Sequence, residues 1–327
     1  MTEKDSKAQD RLGRLTDILV EDALALSDVE LLAEAAEEQE NVDAVVTRVR
    51  GTISDAVARA RKTQSHSVCA SRPPAKSTTI QFGIQFFPTV GPETKSAQQY
   101  FDECLKLCDL VDDCGYSHVR AVEHYFRPYG GYSPNPIVFL AAASQRTKKA
   151  RLITGAVLPI FNNPLKVAGE AGILDAISGG RLELGMARAF LPHEFKTFGV
   201  SLDESVARFD EGSDQIRRLL EEENVTSEGR FHRFRNVTSL PRPTQKPRPP
   251  IWTAATSTPE SFVKAGLRGD GIMTIPLGRE RLKEMLSIYR DAWRGAGHPG
   301  NGRVMVAFHM YCHEDESQAL RIANEPL

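Results

Sequence analysis

Three hydroxyl side chains stand in a row before a predicted helix, in the segment Thr256-Ser257-Thr258-Pro259. Proline suits the first position of a helix because it has no amide hydrogen to leave unpaired, and Thr258 before it can serve as the N-cap. The free backbone N–H groups of a helix N-terminus, beside hydroxyl side chains, form a natural cradle for a phosphate group. Helix capping alone would use the same residues, so the segment leaves both interpretations open.

Arg188 stands at the end of another predicted strand, directly after the run 181–187. A guanidinium at that place can hold a phosphate through two parallel hydrogen bonds. A surface ion pair would explain Arg188 by itself. Taken with the hydroxyls of Thr256, Ser257 and Thr258, it favours a phosphate-binding site.

His124 follows Glu123 at the end of a third predicted strand. An imidazole titrates near neutral pH, so His124 can act as a general acid or base, or donate a hydrogen bond to a bound oxygen species. A histidine satisfied within the core is the alternative. A metal site made of Glu123, His124 and His193 fits no zinc spacing, so no metal is predicted.

The elements that must position these residues alternate along the chain from Ile80 onward. Apolar runs predict strands at 80–87, 118–122, 151–158, 181–187, 249–255, 271–275 and 304–311. Helical spacing predicts helices at 96–114, 134–145, 164–177, 203–221, 259–266, 279–296 and 314–323, the fourth of them behind a capping box of Ser201 and Glu204. The segment 225–240 is predicted to form short polar strands outside the main sheet.

Repeated strand-then-helix order predicts an α/β fold with a parallel sheet and right-handed crossovers. The expected architecture is a TIM-type (β/α) barrel, in which functional groups gather at the carboxyl ends of the strands. Seven units are visible where a closed barrel has eight. Residues 80–327 are therefore expected to form a C-terminally truncated barrel that lacks its eighth β/α unit.

The first part of the chain has a different character. Residues 1–63 show helical apolar spacing and predict a small helical extension, with a capping box at Ser27 and Glu30. Residues 64–79, rich in Ser, Pro and Thr, predict a linker. The extension is interpreted as an appendage, with a docking module as the alternative.

Composition excludes several classes of protein. Hydrophobic residues make up 41% and charged residues 26% of the 327 residues, as in globular proteins. A net charge of −2 offers no basic surface for nucleic acid or an anionic membrane. The sequence shows no membrane-spanning run and no secretory signal, so a cytoplasmic location is expected. Cys104 and Cys108 share a helix face and are expected to be buried small hydrophobes rather than a metal or redox pair.

Four stretches together resemble bacterial luciferase-like monooxygenases. They are FGIQFFP (82–88), AVEHYF (121–126), the long run GAVLPIFNNPLKVAGEAGILDAISGGRLELGMARAFLPHEFKTFGV (155–200), and SLPRPTQKPRPPIWTAATSTPES (239–261). The resemblance implies a barrel that binds reduced FMN, supplied by a separate flavin reductase, and uses O₂ to oxidise a small-molecule substrate.

The resemblance also implies roles for individual residues. His124 corresponds to the catalytic histidine, which assists the flavin peroxide, and Arg188 to the arginine that binds the flavin phosphate. Ser257 corresponds to the phosphate-binding hydroxyl, with Thr256 and Thr258 beside it. The remaining implied features are a contact of Ala156 and Val157 with the flavin ring and a homodimer formed through the helix around 164–178.

Two alternatives stay open at this point. An F420-dependent oxidoreductase of the same superfamily would share the barrel but transfer a hydride. A non-catalytic flavin-binding or scaffold protein would use residues 1–63 for partner contacts. Tyr125 stands where many family members carry a second histidine, which argues against a true luciferase activity.

Overall fold

The computed structural model describes residues 80–308 and 313–323. The predicted extension at 1–63, with its capping box, and the predicted linker at 64–79 lie outside the described residues. Those that are described fall into two compact units. The larger comprises 80–274 and 284–306, and the smaller comprises 275–283, 307–308 and 313–323.

Nine strands are found in the described residues: β1 (Gly83–Phe86), β2 (His118–Ala121), β3 (Arg151–Thr154), β4 (Leu182–Met186), β5 (Val225–Glu228), β6 (Arg233–Val237), β7 (Ile251–Ala254), β8 (Gly271–Thr274) and β9 (Val304–Val306). Seven of them pair in parallel in the order β1-β2-β3-β4-β7-β8-β9. The predicted parallel α/β order is confirmed. β5 and β6 form a separate antiparallel hairpin, as predicted for the segment 225–240.

The helices of the described chain are α1 (Ala97–Leu110), α2 (Pro136–Arg146), α3 (Pro164–Ile177), α4 (Pro192–Phe198), α5 (Ser205–Glu221), α6 (Pro259–Arg268), α7 (Arg279–Gly295) and α8 (Glu316–Ala323). Asn135 and Asn163 begin α2 and α3: their side chains accept hydrogen bonds from the amides of Val138 and Leu165 at 3.1 and 2.9 Å. A proline follows each of these caps, so the local sequence fixes both helix starts.

Successive side chains of each strand point to opposite faces of the sheet. The outer face packs on α1, α2, α3 and α5 in one apolar core that includes Val119, Leu152, Leu184, Leu140, Leu174 and Ile216. The opposite face, which we call the inner face, carries a smaller cluster of Ile153, Ala156, Trp252 and Met273.

Cys104 and Cys108 lie in the outer core, with exposed fractions of 5% and 0%. Burial raises the pKa of Cys108 to about 12, so its thiol stays protonated at neutral pH. The prediction that both cysteines are buried small hydrophobic side chains is therefore confirmed.

The inner face carries a charged cluster at the amino-terminal ends of its strands. Glu183 on β4 accepts a hydrogen bond from Trp252 Nε1 at 2.5 Å. The same carboxylate contacts Arg151 Nε on β3 and lies 3.7 Å from Arg303 Nη1. The Arg303 guanidinium stacks on the Trp252 ring at 4.7 Å. We call these four residues the amino-end cluster.

Two local predictions are wrong. Ser201 and Glu204 form no capping box, because Leu202–Glu204 is a 3₁₀ turn and Ser201 makes no side-chain capping bond. The Glu204 carboxylate accepts instead from Arg208, at 3.0 Å, and from Arg230. The strand predicted at 151–158 ends at Thr154, where the polypeptide turns through a cis peptide bond between Gly155 and Ala156.

No helix in the part of the chain that the structure describes is long and apolar enough to cross a membrane.

Candidate active site

The sequence-predicted site residues follow the carboxyl ends of four strands that are neighbours in the sheet. The order β2-β3-β4-β7 places these ends along one edge. His124 follows β2, Ala156 and Val157 follow β3, and Arg188 follows β4; the hydroxyl segment Thr256–Thr258 follows β7. The chain therefore brings all the predicted site residues to the same edge of the sheet.

His124 is buried against a carboxylate. Its Nδ1 lies 3.2 Å from Oε1 of Glu194, a fully buried residue near the start of α4. The same oxygen accepts the backbone N–H of Tyr125 at 2.8 Å. A carboxylate on Nδ1 holds a proton there, so the other ring nitrogen, Nε2, is the one available for chemistry. Oε2 of Glu194 is buried and has no hydrogen-bond partner among the residues that the structure describes.

Three aromatic rings surround the imidazole. The ring centroids of Phe87, Tyr129 and Phe190 lie 5.5, 5.6 and 5.7 Å from that of His124. The Phe190 side chain is 61% exposed, so it forms the solvent side of this enclosure. His124 thus has an apolar surround with a single carboxylate contact.

Glu123 is a second buried carboxylate beside His124. It accepts hydrogen bonds from the Tyr125 hydroxyl at 2.6 Å, from Asn162 Nδ2 at 2.7 Å and from the Leu158 amide at 3.2 Å. Burial raises its pKa to about 7 in spite of these three donors. Glu123 therefore carries a proton over part of the physiological pH range.

The three residues weighed for a metal site make separate contacts. Glu123 faces Tyr125 and Asn162, His124 faces Glu194, and His193 Nε2 lies 3.1 Å from the backbone oxygen of Tyr125. Within residues 80–308 and 313–323, no group of three or more His, Cys, Asp or Glu side chains could hold a metal ion.

Ala156 and Val157 continue β3 beyond the cis peptide bond. The Val157 amide donates to Gly185 O, and its carbonyl accepts from the Ala187 amide, both at 2.9 Å. The Thr154 hydroxyl accepts from Gly185 N and donates to Gly185 O, each at 2.8 Å, where the backbone pairing is interrupted. These contacts hold the strand end firmly against β4.

Arg188 and the hydroxyl segment lie on neighbouring strand ends, because β4 pairs with β7. Arg188 is exposed, and its side chain makes no ion pair or hydrogen bond within the described part of the chain. Thr258 occupies the N-cap position of α6 before Pro259, but its hydroxyl makes no capping bond, contrary to the prediction. Its backbone, with φ −83° and ψ 109°, sets the helix start instead.

Sequence reasoning missed two residues at this edge. Glu194 lies 70 positions from His124 in the chain, so no spacing pattern could connect them. Arg120 on β2 donates from Nη1 to Gln85 and, at 3.1 Å, from Nη2 to the Gly155 carbonyl. Its Nε is buried and has no hydrogen-bond partner in the described part of the chain. A charged residue inside a predicted strand is the signal that could have identified Arg120.

Comparison with known proteins assigns the chain to a family. The profile described as luciferase-like monooxygenase matches residues 80–327. A flavin-dependent trigonelline monooxygenase, oxygenase component, from Acinetobacter baylyi is 32% identical over 237 residues, which cover 71% of this chain and 65% of that protein. The chain spans 65% of the length of this relative, and 52% and 56% of the lengths of two uncharacterized relatives from Sinorhizobium fredii.

Solved structures share the fold. Monooxygenase RslO1 from Streptomyces bottropensis is 51% identical, with a TM-score of 0.72 over 74% of this chain and 75% of that one. The oxygenating constituent of 3,6-diketocamphane monooxygenase from Pseudomonas putida, in complex with FMN, is 24% identical, with a TM-score of 0.65 over 75% and 71%. An F420-dependent secondary alcohol dehydrogenase is 21% identical, with a TM-score of 0.58 over 69% and 68%. The last two likenesses concern the fold alone.

Proposed function

Since the chain belongs to the luciferase-like monooxygenase family, we propose that it is a flavin-dependent monooxygenase that uses reduced FMN and O₂ to oxidise a small organic substrate. The observation that carries the proposal is the buried pair of His124 and Glu194 at the sheet edge that also presents Arg188 and the hydroxyl segment. Proton transfer and phosphate binding can therefore occur at one site. The sheet is proposed to be part of a TIM-type barrel.

The phosphate of FMN fits the exposed polar groups at β4 and β7. Arg188 supplies a guanidinium that no carboxylate in the described residues neutralises. The N-terminus of α6 supplies backbone N–H groups, and Thr256, Ser257 and Thr258 supply exposed hydroxyls beside them. A guanidinium, hydroxyls and a helix N-terminus are together a donor set suited to a phosphate dianion.

The flavin ring is proposed to lie against Ala156 and Val157. These residues follow β3, which lies between β2, the strand before His124, and β4, the strand before Arg188. Their backbone is held to β4 by the paired hydrogen bonds of Val157, so the proposed ring contact is rigid. Rigid strand ends suit a cofactor whose reactive atoms must be held in register with the substrate.

Bound reduced FMN supplies two electrons that, with two protons, convert one oxygen atom of O₂ to water while the other enters the substrate. His124 moves a proton at Nε2, because Glu194 holds Nδ1. Phe87, Tyr129 and Phe190 surround the imidazole and would limit the access of bulk water to it.

A separate flavin reductase is proposed as the source of reduced FMN. The trigonelline relative is described as an oxygenase component. The GAGHPG run at 295–300 matches the spacing of a nicotinamide-binding segment but follows α7 rather than a strand, so it lacks the context of one.

A homodimer formed through α3 is also proposed. Leu165, Gly169, Ile173 and Ile177 recur every four residues on α3 and form a stripe away from the core. Ile173 is 51% exposed, and Val138 on the adjacent α2 is 66% exposed. A second copy of the chain would cover this apolar stripe.

Anaerobic titration with dithionite-reduced FMN tests the cofactor site. Arg188→Ala is expected to weaken binding about ten- to a hundredfold, since a hydrogen bond to a charged group contributes about 1.5–3 kcal/mol. Arg290→Ala, which removes an exposed arginine from α7, is the matched control and should bind FMN like the wild type.

Three outcomes would contradict parts of the proposal. Equal weakening in both variants would remove the phosphate assignment of Arg188. Tight binding of F420 in place of FMN, without O₂ consumption, would identify a hydride-transferring oxidoreductase. Flavin binding with no oxygenation of any substrate would favour a non-catalytic flavin-binding protein.

A further inference from the structure

Arg120 is a cation on the inner face of the sheet. It lies on β2 between Gln85 of β1 and Gly155 at the end of β3. Both of its acceptors, the Gln85 side-chain oxygen and the Gly155 carbonyl, are neutral. Its Nε is buried and donates to nothing in the described residues.

No carboxylate in residues 80–308 and 313–323 pairs with this guanidinium. Glu183, on the same face, is engaged by Arg151 and Arg303 toward the amino end of the sheet. Burial lowers the pKa of Arg120 to about 10, so the side chain remains positively charged at neutral pH. The side chain is partly buried and its Nε is fully enclosed, so the charge is partly desolvated and has no counter-ion in the described residues. An anion bound beside it would offset this cost.

The position of Arg120 identifies that anion. Gly155, whose carbonyl accepts from Nη2 at 3.1 Å, directly precedes Ala156, against which the flavin ring is proposed to lie. The phosphate, by contrast, is assigned to Arg188 and the hydroxyl segment on β4 and β7. The anion compensated by Arg120 is therefore in the ring rather than in the phosphate.

We propose that Arg120 is the positive charge that stabilises the anionic form of the reduced flavin ring. The inference rests on the flavin function proposed above. Uptake of two electrons and two protons gives a neutral reduced flavin, whereas uptake of two electrons and one proton gives an anion. A fixed cation beside the ring favours the anion and so strengthens binding of reduced over oxidised FMN.

The test compares the affinity of each variant for the two redox states of FMN. Oxidised FMN is titrated in air, and dithionite-reduced FMN is titrated anaerobically, with the midpoint potential of bound FMN as a second readout. Arg120→Met removes the charge at similar length, Arg120→Lys retains the charge, and Gln85→Met perturbs the same contact without changing any charge.

Arg120→Met is expected to bind reduced FMN at least tenfold more weakly while its affinity for oxidised FMN changes less than threefold. The quantity compared is the ratio of the affinity for reduced FMN to the affinity for oxidised FMN. A tenfold fall in this ratio corresponds to a fall of about 30 mV in the midpoint potential of a two-electron couple. Arg120→Lys and Gln85→Met should each keep the ratio within about threefold of the wild type.

Equal weakening of both redox states in Arg120→Met would overturn the inference and leave Arg120 as a structural clamp on Gly155. A ratio shift in Gln85→Met as large as in Arg120→Met would also overturn it, because no charge is lost there. If the wild type bound neither redox state, the flavin function itself would fail, and with it this inference.

Discussion

The two ends of the inner face handle charge in opposite ways. At the amino end, Glu183 faces Arg151 and Arg303 and accepts from Trp252, so cations and anion meet within the chain. At the carboxyl end, Arg188 has no partner in the described residues, and Oε2 of Glu194 is buried without one. Both ends belong to the same sheet.

This difference distinguishes charged groups that serve the fold from charged groups that serve ligand binding. In a charged cluster whose ions pair within the chain, removing one member leaves the others unpaired and destabilises the fold. Groups left incomplete in a well-packed edge mark the place where a ligand completes them. Substitutions at the amino end should therefore alter stability, and those at the carboxyl end should alter binding or turnover.

The largest expected effect is at His124. His124→Asn should lower turnover of a substrate that the wild type oxygenates by about 10²- to 10⁴-fold, the range for loss of a general acid or base. Affinity for reduced FMN should change less than threefold, since no phosphate contact is removed. His193→Asn is the matched control, because His193 Nε2 lies 3.1 Å from the backbone oxygen of Tyr125 rather than against a carboxylate, and its turnover should stay within threefold. Equal losses in both variants would break the comparison.

Glu123 should make the free energy of unfolding depend on pH. Its pKa rises from 4.5 to about 7 on burial, so the folded state holds the proton more tightly than the unfolded chain. The free energy of unfolding should therefore fall as pH rises from about 4.5 to about 7, by about 3 kcal/mol in total for this group. Urea denaturation across this range should show that the stability of Glu123→Gln rises relative to that of the wild type as pH increases. If the two proteins showed the same pH dependence of stability, the raised pKa of Glu123 would be contradicted.

Glu183→Gln should affect stability and leave FMN binding intact. Loss of this anion leaves Arg151 and Arg303 facing each other. Because their side chains retain 32% and 39% exposure, we expect a loss of about 2–3 kcal/mol, below the range for fully buried pairs. Glu228→Gln, in an exposed pair with Arg235, is the control and should lose less than about 0.5 kcal/mol in urea denaturation. A tenfold change in FMN affinity in Glu183→Gln would show that the amino end also contributes to binding and would contradict the proposed difference between the two ends.

The smallest effect is expected at Thr258. Its hydroxyl makes no capping bond, so Thr258→Ala should change stability by less than about 0.5 kcal/mol. Loss of one phosphate contact should weaken FMN binding about two- to tenfold. Asn163→Ala, which removes a side chain that does cap α3, should show the reverse: about 1 kcal/mol of lost stability and unchanged FMN affinity. A large loss of stability in Thr258→Ala would instead indicate that Thr258 only caps the helix.

The order of strands and helices could be predicted because each element carries its own periodicity. Pro164–Ile177 was predicted with its exact bounds, since Asn163 and Pro164 mark its start. The short α4 was not predicted, because seven residues hold too little periodicity to distinguish a helix from a loop.

The site could be predicted only in part. The strand-end positions of His124, Arg188 and the hydroxyl segment follow from the order of the elements. Glu194 and Arg120 could not be assigned, because their contacts join residues 70 and 35 positions apart and depend on which face each strand turns inward. Pairing of that kind is a property of the assembled sheet.

The close approach of Arg120 to Gly155 should couple these two positions during evolution. A methyl group on Gly155 would lie 1.9 Å from Arg120 Nε, so even alanine there displaces the guanidinium from its acceptors. Among homologous sequences, arginine at the position of Arg120 should occur with glycine at that of Gly155, and a larger residue at 155 should accompany the loss of that arginine. A glycine at the position of Gly155 should therefore indicate which homologues retain a positively charged residue at the position of Arg120.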